Sequence, residues 1–435
     1  MFRRIRRGRT LALALGAASV LALAACGGGS GASASGKTFT VWWYEDAGNP
    51  QDAAWQDALK DFKAAHPNVK VHFERKVWQQ IQDAGAMILN SKDAPDLLEY
   101  NKGNATAGAV SSKGLLTDLT SEASSQGWDK IAGSALTVGT YNSKGLMGPG
   151  KLYGIPSYGE YVSFAYNEDM FAKYGVKVPT TMDELDAAFA KFKSEGITPL
   201  AESAADYPAQ HLLWGLALSY ADHGWLNGYF GLKAPLDTSS DSPLTKAAET
   251  IADWTAKGYI DKKSSGMKPE DAWSLFRSGK APITYAGTWM AGDFRDNIKS
   301  FKWGQFLMPG SGINPGSGGN IWVVPTKADN KDLAYDFIGL TLDKKRQDLM
   351  ANAGGVALHA DPADVSDPTG KMVNQTFSQL VSSDGLGLYG DWPVPNFYQV
   401  IQSNTQTLVA GRQTPDEFMK QLKTAYDQVQ STVGG

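Results

Sequence analysis

The 435-residue chain predicts an α/β fold built on doubly wound sheets, and three observations carry that expectation. Between Thr38 and Tyr100 the pattern runs strand, helix, strand, helix, strand with short joints, an order that requires parallel pairing and crossover helices. Apolar residues make up 42% of the chain, enough over about 400 residues for large cores and two or three domains. The single cysteine, Cys26, leaves no internal disulfide, so the cores alone must supply stability.

Residues 1–36 stand apart from that pattern. Arg3, Arg4, Arg6, Arg7 and Arg9 precede an apolar run, Leu11–Ala22, and Leu23-Ala24-Ala25 leads into Cys26. A basic start, a short apolar segment and small residues before a cleavage point make residues 1–25 a signal peptide. The run is shorter than the roughly 20 residues a membrane-spanning helix needs. Leu-Ala-Ala-Cys resembles the bacterial lipoprotein box, which implies cleavage before Cys26 and a diacylglycerol on its thiol, holding the protein at the outer face of the cell membrane. The competing reading is an ordinary signal peptide with an incidental cysteine. Gly27–Gly36 contains only Gly, Ser and Ala, a flexible tether reaching roughly 17 Å. The residues after Arg4 and Arg7 do not match a twin-arginine signal, so general secretion is the expected route.

Thr38–Tyr44 has the β-branched and aromatic content of a strand. Asn49-Pro50 then opens a helix in which Trp55, Ala58, Leu59, Phe62 and Ala65 recur with helical period, and His66-Pro67-Asn68 stops it. Val69, Val71 and Phe73 alternate as a second strand. Trp78–Asn90 reads as a second helix and Pro95–Tyr100 as a third strand. Doubly wound sheets bind ligands beyond the carboxyl ends of their strands, which places Trp43, Glu45, Asp46, Tyr100 and Asn101 at the expected rim. Alternation puts Trp43 and Glu45 on one face; a core position is the competing reading for Trp43.

The net charge of −4 becomes about −9 once the five leader arginines are set aside, a balance that argues against nucleic acid as a partner. The 13 Trp, 17 Tyr and 17 Phe suit a site that offers flat apolar faces and polar edges together. Sugar rings match such a site, stacking on an indole while carboxylates and amides bond their hydroxyls.

Gly150-Lys151-Leu152-Tyr153-Gly154-Ile155-Pro156 is followed by Phe164-Ala165-Tyr166-Asn167, then by Pro179-Thr180-Thr181-Met182-Asp183-Glu184-Leu185. Phe276-Arg277-Ser278-Gly279-Lys280-Ala281-Pro282-Ile283 leads into Gly287-Thr288-Trp289, and Met308-Pro309-Gly310, Gly318-Gly319 and Ala334-Tyr335-Asp336-Phe337-Ile338 complete the order. Each piece is loose alone. Together they resemble the extracellular solute-binding proteins of bacterial ABC sugar importers, the group related to maltose-binding protein, over nearly all of the chain after the tether.

The resemblance implies a two-lobed, periplasmic-binding-protein-like fold of type II, with residues 37–156 and 286–326 in one lobe and 157–285 and 327–435 in the other. It implies crossings near Ile155–Tyr158, Thr284–Gly287 and Pro325–Ala328 and a hinged cleft between the lobes. A monomer that binds an oligosaccharide and delivers it to the permease subunits is implied, with no cofactor. In the second lobe it points to Tyr158 and Glu160 after the first crossing, and to His211 and Trp214 sharing a face of a helix that starts at Pro208. Trp289 matches the family's cleft tryptophan most closely. Asn320, Trp322, Asp391 and Trp392 complete the candidate set, joined by Trp78 at the head of the second helix, for which packing against the core is the alternative.

Other chemistries lack their residues. Gly145–Lys151 has the spacing of a phosphate loop, but Leu152 stands where Ser or Thr must hold magnesium. His66, His72, His211, His223 and His359 form no metal-ligand spacing, and no Gly-x-Ser-x-Gly elbow exists. An exported carbohydrate hydrolase using Glu45, Glu160 or Asp391 as its carboxylate pair is the rival reading, and a sugar sensor or adhesin on the same fold is another.

Overall fold

A computed structural model describes residues 37–433; Cys26, the signal peptide and the tether lie outside the described residues. The first strand, β1 (Thr38–Trp43), buries Phe39, Val41 and Trp43 on one face. Helix α1 (Pro50–Ala65) follows, with Pro50 in its first turn and Asn49 as its cap, whose side chain accepts from the Asp52 amide at 2.7 Å. Strand β2 (Lys70–Arg75), helix α2 (Trp78–Asn90) and strand β3 (Leu97–Tyr100) complete the alternation. Both β2 and β3 pair with β1 in parallel, as the strand and helix order predicts.

After a small antiparallel pair, β4 (Thr140–Tyr141) with β5 (Lys151–Leu152), the chain adds β6 (Ile155–Pro156) to the first sheet. It then crosses through Ser157-Tyr158 into β7 (Gly159–Asn167), the long strand of a second sheet. That sheet gains β8 (Leu200–Ala201), β9 (Ile283–Gly287), β10 (Trp303–Phe306) and β11 (Gly316–Gly318). Only β12 (Ile321–Val323) returns to the first sheet, where it lies antiparallel between β3 and β6. The first sheet therefore runs β2-β1-β3-β12-β6 and the second β10-β7-β9-β8, with β11 against β7.

Strand pairing corrects two of the expected crossings. The one expected near Thr284–Gly287 lies at Gly319-Asn320, because β9, β10 and β11 all belong to the second sheet. The one expected near Pro325–Ala328 falls after Asn352, since the helices Lys331–Leu342 and Lys344–Asn352 pack on α1 beside the first sheet. The helix Pro368–Ser382 then lies against β7, with Phe377 stacked on Tyr161. Segment 286–318, expected with the first lobe, thus belongs to the second sheet, and 331–352 to the first. Helix pattern and turn residues in the sequence mark where elements end, but not which sheet edge a strand joins.

The aromatic content goes largely into cores. Trp43, Trp55, Trp322 and Phe337 form a nest under β1, with Trp55 and Trp322 centred 4.6 Å apart. In the second body Trp214 packs against Tyr229 and Trp225, with centroids at 5.0 Å and 5.7 Å.

Candidate ligand-binding cleft

A cleft of ≈ 700 Å³ opens beyond the carboxyl ends of β1 and β3 and is walled on its other side by the second sheet and its helices. From the first body it takes Tyr44, Glu45 and Asp46 just past β1, Trp78 at the start of α2, Asn101 and Lys102 just past β3, and Asn320 just before β12. From the crossing it takes Tyr158, whose ring packs against Trp55 in the core of the first sheet, and from the second body Glu160, then Tyr207 and His211 at the head of the helix Pro208–Tyr220, then Trp289, and Tyr389, Asp391 and Trp392 from the loop before the helix Phe397–Val409. Eleven of the fifteen residues expected from sequence line this one space: Glu45, Asp46, Trp78, Asn101, Tyr158, Glu160, His211, Trp289, Asn320, Asp391 and Trp392.

Four do not. Trp43 is fully buried and gives its indole N–H to Asp52 at 2.9 Å, so its polar edge is satisfied inside the core. The strand ends at Trp43, and beyond it the alternation that paired Trp43 with Glu45 no longer holds. Tyr100 turns to the α2 side with Leu98, its ring lying against Gly85 of α2. Trp322 sits in the nest with Trp43. Trp214 donates its indole N–H to the Leu388 carbonyl at 3.1 Å; three residues on from His211 places it about 4.5 Å further along the helix, below the rim.

Aromatic rings form one wall. Trp289 lies edge-on to Tyr207 and His211, with centroids at 6.1 Å and 5.8 Å, and Trp78 reaches Tyr398 at 5.6 Å. The Trp289 ring folds back over Gly287, where any Cβ would stand 2.1 Å from the indole, so the last residue of β9 has to be glycine. Gly103, just past β3, has φ +105° and gives its space to Trp392.

Polar groups form the floor. Glu45 accepts from Asn49 at 2.6 Å and from the Tyr158 hydroxyl at 3.1 Å. Beneath it Glu99 is completely buried and accepts from the Tyr44 amide at 2.9 Å. Burial, reinforced by the Glu45 carboxylate, pushes Glu99 well above the usual carboxylate range, and burial raises Glu45 too. Two buried carboxyls this close disfavour each other's charged form. Asp391 rises to about 6 through burial. Burial, aided by Lys102, lowers His211 to about 3, so the ring is neutral and can both donate and accept.

Lys102, Tyr207, Gln210 and Tyr398 were not among the residues expected from sequence, although all line the cleft, and Tyr389 lines it beside Asp391 and Trp392. Lys102 follows Asn101 directly, and a lysine beside a strand end was the one signal available for it. A loop lysine is ordinarily solvated. Here it is 2% exposed.

Among the described residues no group of three or more His, Cys, Asp or Glu is placed to hold a metal ion, and no helix is long and apolar enough to cross a membrane.

The family model for bacterial extracellular solute-binding proteins matches residues 47–348. The chain belongs to that family. Its members are binding proteins rather than enzymes. Among curated solute-binding relatives, the diacetylchitobiose binding protein DasA of Streptomyces coelicolor is 26% identical over 404 residues, covering 89% of this chain and 90% of that one. The multiple sugar-binding protein of Streptococcus mutans is 23% identical over 306 residues, 68% and 69% of the two chains. Among solved structures, a chitin oligosaccharide binding protein superposes with a TM-score of 0.75 at 18% identity, over 91% of this chain and 99% of its own. A protein from a study of xylan utilisation by Caldanaerobius polysaccharolyticus gives 0.74 at 23% identity, over 89% and 99%. These likenesses establish the type II solute-binding fold for this chain.

Proposed function

We propose that this solute-binding protein captures an oligosaccharide in the cleft and hands it to the permease of an ABC importer. The observation that carries the reading is the pairing of surfaces in one space: a wall of Trp78, Tyr207, Trp289 and Tyr398 faces a floor of Glu45, Asn101, Glu160, Asn320 and Asp391. Aromatic faces suit the C–H face of a sugar ring, and carboxylates and amides suit its hydroxyls. Relatives named for sugars and chitin oligosaccharides support the same class. Contacts from both sheet bodies let a ligand favour the closed arrangement by its extra affinity for it.

The protein works as a monomer tethered through a lipid on Cys26, and the tether raises its effective concentration at the permease. Calorimetric titration with di- and trisaccharides tests the binding reading. Saturable binding with the sugar recovered intact supports it, whereas hydrolysis products, or no binding across the panel, would sink it. Replacing Cys26 with Ala should release the protein to the medium with sugar affinity unchanged.

A further inference from the structure

Lys102 stands on the first body, two residues past β3, yet its ammonium bonds Glu160 of β7, on the second sheet, at 2.5 Å. Both side chains are nearly sealed from water, 3% and 8% exposed. The same ammonium donates to the Asn320 side chain at 3.0 Å and lies 5.6 Å from the Trp392 ring and 5.8 Å from the Tyr389 ring, within cation–π range. Ser317 donates to the same Glu160 oxygen at 3.3 Å. Around this point the two bodies touch again, where the Ala105 amide donates to the Trp392 carbonyl at 3.1 Å.

A buried ion pair is a poor source of net stability, because desolvating both charges offsets most of their attraction. Its consequence is geometric: Glu160 lies two residues past the Ser157-Tyr158 crossing and Asn320 lies in the Gly319-Asn320 crossing, so any movement of the β3 end away from the crossing strands would strand a carboxylate and an ammonium that now satisfy each other. An ammonium has three N–H donors, and Glu160 and Asn320 engage two of them. One remains for a ligand in the cleft that Lys102 lines.

We propose that Lys102 is an affinity-determining residue of the cleft, a positioning cation that holds the two sheet bodies closed through Glu160 and donates its remaining N–H to a ligand hydroxyl. This rests on the sugar-binding reading for the hydroxyl alone; the closing role stands on the ion pair. Apparent affinity scales with the fraction of molecules in the binding-competent state, so a tenfold loss of the closed form weakens binding tenfold before the lost hydrogen bond is counted.

The test uses the full-length protein with Cys26→Ala, spin-labelled at Lys63→Cys on α1 and Glu249→Cys on the helix Pro243–Lys257, both exposed positions. Pulsed electron resonance then reads the distance between the bodies without added sugar. Lys102→Met and the double variant Lys102→Met/Glu160→Met should each lengthen and broaden that distance. Both should weaken, tenfold or more, whichever of chitobiose, xylobiose, maltose and raffinose the parent binds. The double variant leaves no unpaired buried carboxylate, so it folds even if the single one does not, and a purely structural ion pair would leave it closed. A parental distance distribution in the double variant, or parental affinity in it, overturns the proposal. Failure of the parent to bind any of the four sugars would count against the sugar-binding reading, and the distances would still decide the closing role.

Discussion

Removing the Trp289 indole should weaken sugar binding by about 1.5–2.5 kcal/mol, and the structure supplies the reasoning. The ring is partly exposed in the cleft, backed by Gly287 and held edge-on by Tyr207 and His211. A tryptophan presents roughly 200 Å² in all. If roughly a quarter of it is left for the ligand to cover, ~25 cal/mol per Å² gives about 1 kcal/mol. Face stacking adds roughly 0.5–1.5 kcal/mol. The total corresponds to a Kd raised about tenfold to seventyfold. Isothermal titration of Trp289→Ala against the parent, with the best-bound sugar of a di- and trisaccharide panel, measures it, and circular dichroism and thermal unfolding check that the fold survives. A Kd within twofold of the parent, in a variant that unfolds at the parental temperature, would refute the stacking argument and remove Trp289 from the site.

The remaining predictions test other parts of the molecule. Gly287→Ala should displace the Trp289 ring, since the new Cβ would meet it at 2.1 Å, and should cost sugar affinity severalfold while the fold is kept; titration beside thermal melts will show whether the two effects separate. Trp43→Ala should cost about 3–5 kcal/mol of stability in urea unfolding, because it opens a cavity and also leaves Asp52 without its indole donor; the loss should appear with or without sugar. Glu202 is buried, and burial raises it to about 8. A carboxyl whose folded pKa lies above its unfolded one stabilises at low pH and loses that contribution as pH rises from about 4.5 through about 8. Glu202→Gln should therefore flatten the decline in melting temperature between pH 5 and 8.5, and an identical slope in parent and variant would show that Glu202 does not titrate there.

Much of the fold was legible because local signals agree with one another. Asn49-Pro50, the period from Trp55 to Ala65 and His66-Pro67-Asn68 mark α1 to the residue, and alternation between Val69 and Phe73 marks β2 to within two. Parallel pairing of β1, β2 and β3 follows from the intervening helices. The lobe crossings after residue 284 were not legible. One depends on β9, β10 and β11 finding β7, more than a hundred residues earlier in the chain, the other on the helices Lys331–Leu342 and Lys344–Asn352 packing on α1, and no local propensity carries either choice.

The site divides along the same line. By itself the sequence determined which loops meet at the rim, because strand ends fall at Trp43 and Tyr100 and loops past the carboxyl ends of strands must face the cleft. That placed Glu45, Asp46 and Asn101 from local pattern alone, and the family resemblance added Tyr158, Glu160, His211 and Trp289. Tertiary structure decided which tryptophans face the cleft. An indole turns inward wherever a buried acceptor receives its N–H, as Asp52 does for Trp43 and the Leu388 carbonyl for Trp214, and those acceptors are set by packing across the fold. It also decided Lys102. The partners that make it a buried cation lie 58 and 218 residues away, so only the meeting of the two sheets turns a rim lysine into a buried part of the cleft lining.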